Sequence, residues 1–75
     1  MNEADIIKAL LKIKKMSQDD LAREAGYVSQ SNITGILNRS KKGIRADNLC
    51  KMLSAMNCEL VIRDKDSGTE FIVDR

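Results

Sequence analysis

Apolar positions recur at helical spacing through the first three quarters of the chain and then alternate as in a strand. Ile6, Leu10 and Ile13, with Ile7 and Leu11 widening the stripe, predict a first helix from about Glu3 to Lys15. Asn2 stands at its cap position, with Asp5 three residues on. Met16-Ser17-Gln18-Asp19-Asp20-Leu21 is a second helix start: Ser17 caps, Asp20 occupies the third helical position, and Met16 staples onto Leu21. Leu21, Ala22 and Ala25 supply its inner face. Gly26 supplies the left-handed residue that ends it after two turns.

The same grammar repeats at Val28-Ser29-Gln30-Ser31-Asn32-Ile33. Ser29 caps a third helix, Val28 staples onto Ile33, and Ile36 continues the inner face with Leu37 beside it. That helix runs to Asn38 or Arg39 and gives way to a polar, basic loop, Ser40-Lys41-Lys42-Gly43. A fourth helix from about Ala46 to Met56 buries Leu49, Leu53 and Met56, with Met52 alongside.

Past Asn57 the period falls to two. Glu59 to Arg63 and Thr69 to Val73 are rich in strand formers, and Asp64-Lys65-Asp66-Ser67-Gly68 between them reads as a turn. In the resulting hairpin Leu60 and Ile62 face one way and Val61 the other, with Phe71 and Val73 opposed to Ile72. Two strands cannot bury both faces against one small bundle. Leu60, Val61, Ile62, Phe71, Ile72 and Val73 are therefore expected to meet a second chain. The expected fold is mainly α, a bundle of four or five helices over residues 1–57 followed by a C-terminal β-hairpin over 58–75.

Composition narrows the picture. Seventy-five residues fit one domain with a marginal core, which a partner subunit would stabilise. With 43% hydrophobic residues the chain has enough apolar content to fold, yet no run is long enough to cross a bilayer. No apolar leader core opens the sequence, so the cytoplasm is the expected compartment. Cys50 and Cys58, eight residues apart, would lie about 12 Å apart along a helix, too far for a disulfide. Histidine is absent, so no zinc site, other metal or cofactor is expected. The chain also lacks a glycine-rich phosphate loop and a carboxylate pair in an evident pocket, which argues against an enzyme. Residues 1–58 carry ten Lys or Arg against six Asp or Glu, whereas residues 59–75 carry three against five. An anionic partner should meet the helical part.

A two-turn helix, a tight turn and a second capped helix form the geometry that sets one helix into the DNA major groove. Small Ala22 and Ala25 facing Val28, Ile33 and Ile36 let the two helices cross closely. The outward side of the second of the pair carries Gln30, Ser31, Thr34, Gly35 and Asn38.

Ser17-Gln18-Asp19-Asp20-Leu21-Ala22-Arg23-Glu24-Ala25-Gly26 followed by Val28-Ser29-Gln30-Ser31-Asn32-Ile33-Thr34-Gly35-Ile36 resembles the Cro/cI (XRE) helix-turn-helix family, and the likeness extends from about Ile6 to Met56. The resemblance implies a homodimer that binds double-stranded operator DNA and represses transcription. Gln30 resembles the family position that reads a base edge, and glutamine pairs bidentately with adenine. Ser31 and Thr34 are suited to a phosphate or a thymine methyl. Gly35 costs about 1 kcal/mol in a helix interior relative to alanine. Either close approach to DNA or close packing on the fourth helix would account for it.

Gln18 and Ser29, at helix starts, and Asn38, Arg39, Lys41, Lys42 and Arg45, beside the reading helix, are the candidate phosphate contacts. Lys12, Lys14 and Lys15 are weaker ones. The turn departs from the family by one extra residue, Tyr27, which either tilts the third helix or itself reaches a phosphate. The reading positions also hold few basic residues. A terminal hairpin on such a domain also resembles the antitoxin half of toxin–antitoxin pairs, which makes a protein partner held by the hairpin the alternative.

Overall fold

The first two helices start and stop where their capping residues place them. The computed structural model describes residues 1–39 and 43–74. Its elements run α1 (Glu3–Lys14), α2 (Gln18–Ala25), α3 (Gln30–Asn38), α4 (Ala46–Ala55), β1 (Leu60–Arg63) and β2 (Glu70–Val73). The fold is therefore mainly helical, with four helices among the described residues and a C-terminal antiparallel hairpin.

Asn2 Oδ1 accepts from the Asp5 N–H at 2.9 Å and so opens α1. At α2 the box is reciprocal: Ser17 Oγ accepts from Asp20 N–H, and Asp20 Oδ2 accepts from Ser17 N–H, both at 3.0 Å. These bonds, with the Arg23 guanidinium behind them, hold the Asp20 carboxyl below its ordinary pKa. Three helices end alike. Lys15, Gly26 and Asn57 adopt the left-handed conformation, and the next N–H closes back five residues, Met16 to Leu11, Tyr27 to Ala22 and Cys58 to Leu53. The residue after each left-handed position, Met16, Tyr27 or Cys58, packs against the core.

That core is built with one fully buried side chain from each helix: Ile7, Leu21, Ile33 and Met52. Ala4, Leu11, Ala22, Leu37, Leu53 and Met56 complete it. The inner stripe of α1 is thus Ala4, Ile7 and Leu11, not Ile6, Leu10 and Ile13. Ile6 and Ile13 are exposed and Leu10 is half-buried. Both phases of α1 are apolar, so docking rather than periodicity selects the face. In α3 Leu37 is buried and Ile36 only half so, and in α4 Met52 lies deeper than Leu49.

Val28 does not staple onto Ile33: it is 99% exposed. Tyr27 turns inward instead, and its hydroxyl donates to Asn48 Oδ1 of α4 at 2.8 Å. The Lys51 ammonium stands 4.5 Å over its ring. Burial, and next the Asp47 carboxylate, push the phenol's pKa up.

In the hairpin Leu60 pairs Val73, Val61 pairs Ile72, Ile62 pairs Phe71 and Arg63 pairs Glu70. Opposed residues share a face, so Leu60, Ile62, Phe71 and Val73 lie on one side and Val61 and Ile72 on the other. Leu60 packs against the helical core, whereas Ile62, Phe71 and Ile72 are each about 60% exposed. An Arg63–Glu70 ion pair at 2.8 Å ties the two strands together on the Val61 side. Gly68, at φ 76°, carries the turn. Cys50 and Cys58 are both free and half-buried.

Candidate nucleic-acid interface

The interface begins with how α2 holds α3. The small Ala22 and Ala25 of α2 are buried, as are Ile33 and Leu37 of α3. One polar contact fixes the crossing: Thr34 Oγ1 donates to Gln18 Oε1 at 2.7 Å, partly buried. Two residues expected to face DNA are therefore bonded to each other. Gln18 keeps its NH2 group to donate outward, and Thr34 keeps its methyl group.

Ahead of α3, the Ser29 N–H donates to Asn32 Oδ1 at 3.1 Å. The Ser29 and Ser31 hydroxyls lie 2.6 Å apart. Gln30, Ser31, Asn38 and Arg39 are exposed, while Thr34 and Gly35 are half-buried. The helix thus buries Ile33 and Leu37 and leaves short polar groups outward.

A Cβ placed on Gly35 would meet Arg39 first, its Nη2 at 3.1 Å. The three nearest atoms all belong to that guanidinium and none to α4. Close packing on the fourth helix therefore does not account for the glycine. Arg39 instead folds back along α3 over it.

Among the described residues Arg39 makes no ion pair. Arg45 pairs Asp47 at 3.2 Å, but both side chains are largely exposed, so the bond is weak and the guanidinium can be shared. Lys41 and Lys42, expected to meet phosphates, lie outside the described residues. Lys12, Lys14 and Lys15 sit exposed at the end of α1.

Two features escaped the sequence reading. Tyr27 reaches Asn48 rather than a phosphate, so the extra residue in the turn anchors α4. Val28, left almost wholly in solvent just before Ser29, adds two methyl groups beside the start of α3. The rule that the residue after a left-handed glycine packs inward could have identified both, since it takes Tyr27 in and turns Val28 out.

A protein-family model described as helix-turn-helix matches residues 7–62, from within α1 into β1. No curated protein and no solved structure matches the chain.

Proposed function

This chain belongs to the Cro/cI-type (XRE) helix-turn-helix family of DNA-binding transcriptional regulators, and we propose that it acts as a dimeric repressor of the phage or mobile-element kind. The helical part, residues 1–57, holds the duplex, and the hairpin, residues 58–75, joins two copies. It works in the cytoplasm, where its operator lies.

Each copy sets α3 into the major groove. Gln30 reads adenine through its amide, and Ser31, the Thr34 methyl and the Gly35 backbone, uncovered as Arg39 swings off it to a phosphate, lie against neighbouring base edges. Gln18, Ser29, Asn38, Arg39, Lys41, Lys42 and Arg45 hold the phosphates on either side. The observation that carries this reading is the partition of α3. Ile33 and Leu37 are sunk in the core while Gln30 and Ser31 are exposed to solvent. Polar side chains turned inward would have served packing alone. The dimer is supported by the hairpin, whose Ile62, Phe71 and Ile72 remain exposed on a molecule with too small a core to waste them.

Selection of binding sites from random duplexes tests the reading. Two half-sites about 34 Å apart along the duplex, in inverted orientation, are expected. Gln30→Ala should relax preference at one position of each half-site at a cost of about 1–3 kcal/mol. No enriched sequence, or a single unpaired half-site, would contradict it.

A further inference from the structure

We infer that two copies join edge to edge through β1, antiparallel and centred on Val61, into a four-stranded sheet ordered β2-β1-β1-β2. The inference rests on the hairpin-mediated dimer proposed above and specifies its edge and register.

The free edge of β1 is readable from the hydrogen-bond alternation. Asp64 N–H donates to Thr69 C=O at 2.9 Å, so the pair beyond Arg63–Glu70 is hydrogen-bonded. Along an antiparallel ladder such pairs alternate. Ile62–Phe71 and Leu60–Val73 are then bonded, whereas Val61 and Arg63 turn their N–H and C=O away from β2. Among the described residues these groups bond to no other element.

The sequence of that edge is self-complementary. Glu59-Leu60-Val61-Ile62-Arg63 laid antiparallel on itself with Val61 opposite Val61 sets Glu59 against the partner's Arg63 at both ends. Leu60 then faces the partner's Ile62. The same residues whose backbone groups point outward, Glu59, Val61 and Arg63, become the bonded pairs of the new ladder, so charge register and hydrogen-bond register agree. The β2 edge fails the same test. Centred on Ile72, it sets Glu70 against the partner's Asp74 twice, and like charges directly opposite destabilise a sheet.

The register also accounts for the exposed apolar residues. One face of the joined sheet carries a row running Phe71, Ile62, the partner's Leu60, the partner's Val73, and its symmetric copy. Leu60 packs on its own helical core. Ile62 and Phe71, each 61% exposed in the single chain, are thereby carried beside the partner's core. On the other face Val61 meets its copy at the centre of a row that Ile72 and the partner's Ile72 close at either end. Arg63, already bonded to Glu70, receives a second carboxylate.

Engineered disulfides test the arrangement in a full-length chain with Cys50 and Cys58 replaced by serine. Bonded cross-strand partners stand about 5.5 Å apart at Cα, within disulfide reach. Val61→Cys should oxidise to a covalent dimer, and Ile72→Cys should remain uncrosslinked. Glu59→Arg in the otherwise native chain should raise the dimer dissociation constant about tenfold, and adding Arg63→Glu with Glu70→Arg should restore it. If light scattering shows a dimer while Ile72→Cys crosslinks, or neither variant does, the β1 register is overturned and the hairpin dimer stands. If the native chain is monomeric at every concentration, the dimer itself is wrong.

Discussion

Tyr27 is the chain's sole tyrosine and there is no tryptophan, so its phenol can be titrated by absorbance without interference. Its burial against α4, with Asp47 nearby, raises the pKa above 10.0. A raised phenol pKa means the folded state favours the protonated form that donates to Asn48. That stabilisation is complete below pH 10 and lost as the pH climbs through the raised value. The titration midpoint should therefore exceed 10.0, and Asp47→Asn should lower it. A midpoint at or below 10.0 would place the ring in solvent and return Tyr27 to the phosphate-contact reading. Gly35 makes a second residue-scale case. A methyl group there displaces only the exposed Arg39 guanidinium, so Gly35→Ala should stabilise the fold by about 0.5–1 kcal/mol in denaturant unfolding. It should weaken DNA binding at the same time. Stabilisation with unchanged affinity would remove the DNA explanation for the glycine.

At the scale of elements, what was legible in the sequence was whatever local chemistry decides. Ser17 with Asp20, Asn2 with Asp5 and Gly26 mark helix ends through bonds within four residues, and the bounds of α1 and α2 follow them closely. The hairpin's strands and faces follow from strict alternation around one turn. Choices made by docking were not legible. Ile6-Ile7 and Leu10-Leu11 offer α1 two apolar faces, and only packing into the core shared with Leu21 and Met52 selects Ile7. The staple assigned to Val28 failed because the Tyr27 ring has more surface to bury and takes the inward place. In the candidate interface, exposure of Gln30 and Ser31 was legible from helical phase. The Gln18–Thr34 bond, which spans sixteen residues, was not.

The shared helix ending gives this scale its prediction. Gly26 and Asn57 tolerate the left-handed conformation, but Lys15, at φ 55°, does so at a cost. Lys15→Gly should relieve it and raise stability by about 1 kcal/mol, a rise of roughly 4–8 °C in Tm for a domain of this size. A fall in Tm would mean that Lys15 contributes contacts beyond its backbone conformation.

Across the whole molecule, charge and shape divide the work. The chain is elongated, 41 × 25 × 22 Å, and its basic excess lies in the helical part while the hairpin region is net acidic. An acidic hairpin is repelled by a phosphate backbone, which supports the proposal that the hairpin meets protein while α3 meets the duplex. The most direct measurement is amide chemical-shift mapping during titration with duplex DNA at low salt. Shifts should concentrate at Gln18 and from Ser29 to Arg39, fade as salt is added, and spare Ile62 and Phe71. Shifts confined to the hairpin, or a response that ignores salt and leaves α3 unmoved, would contradict DNA recognition by this helix.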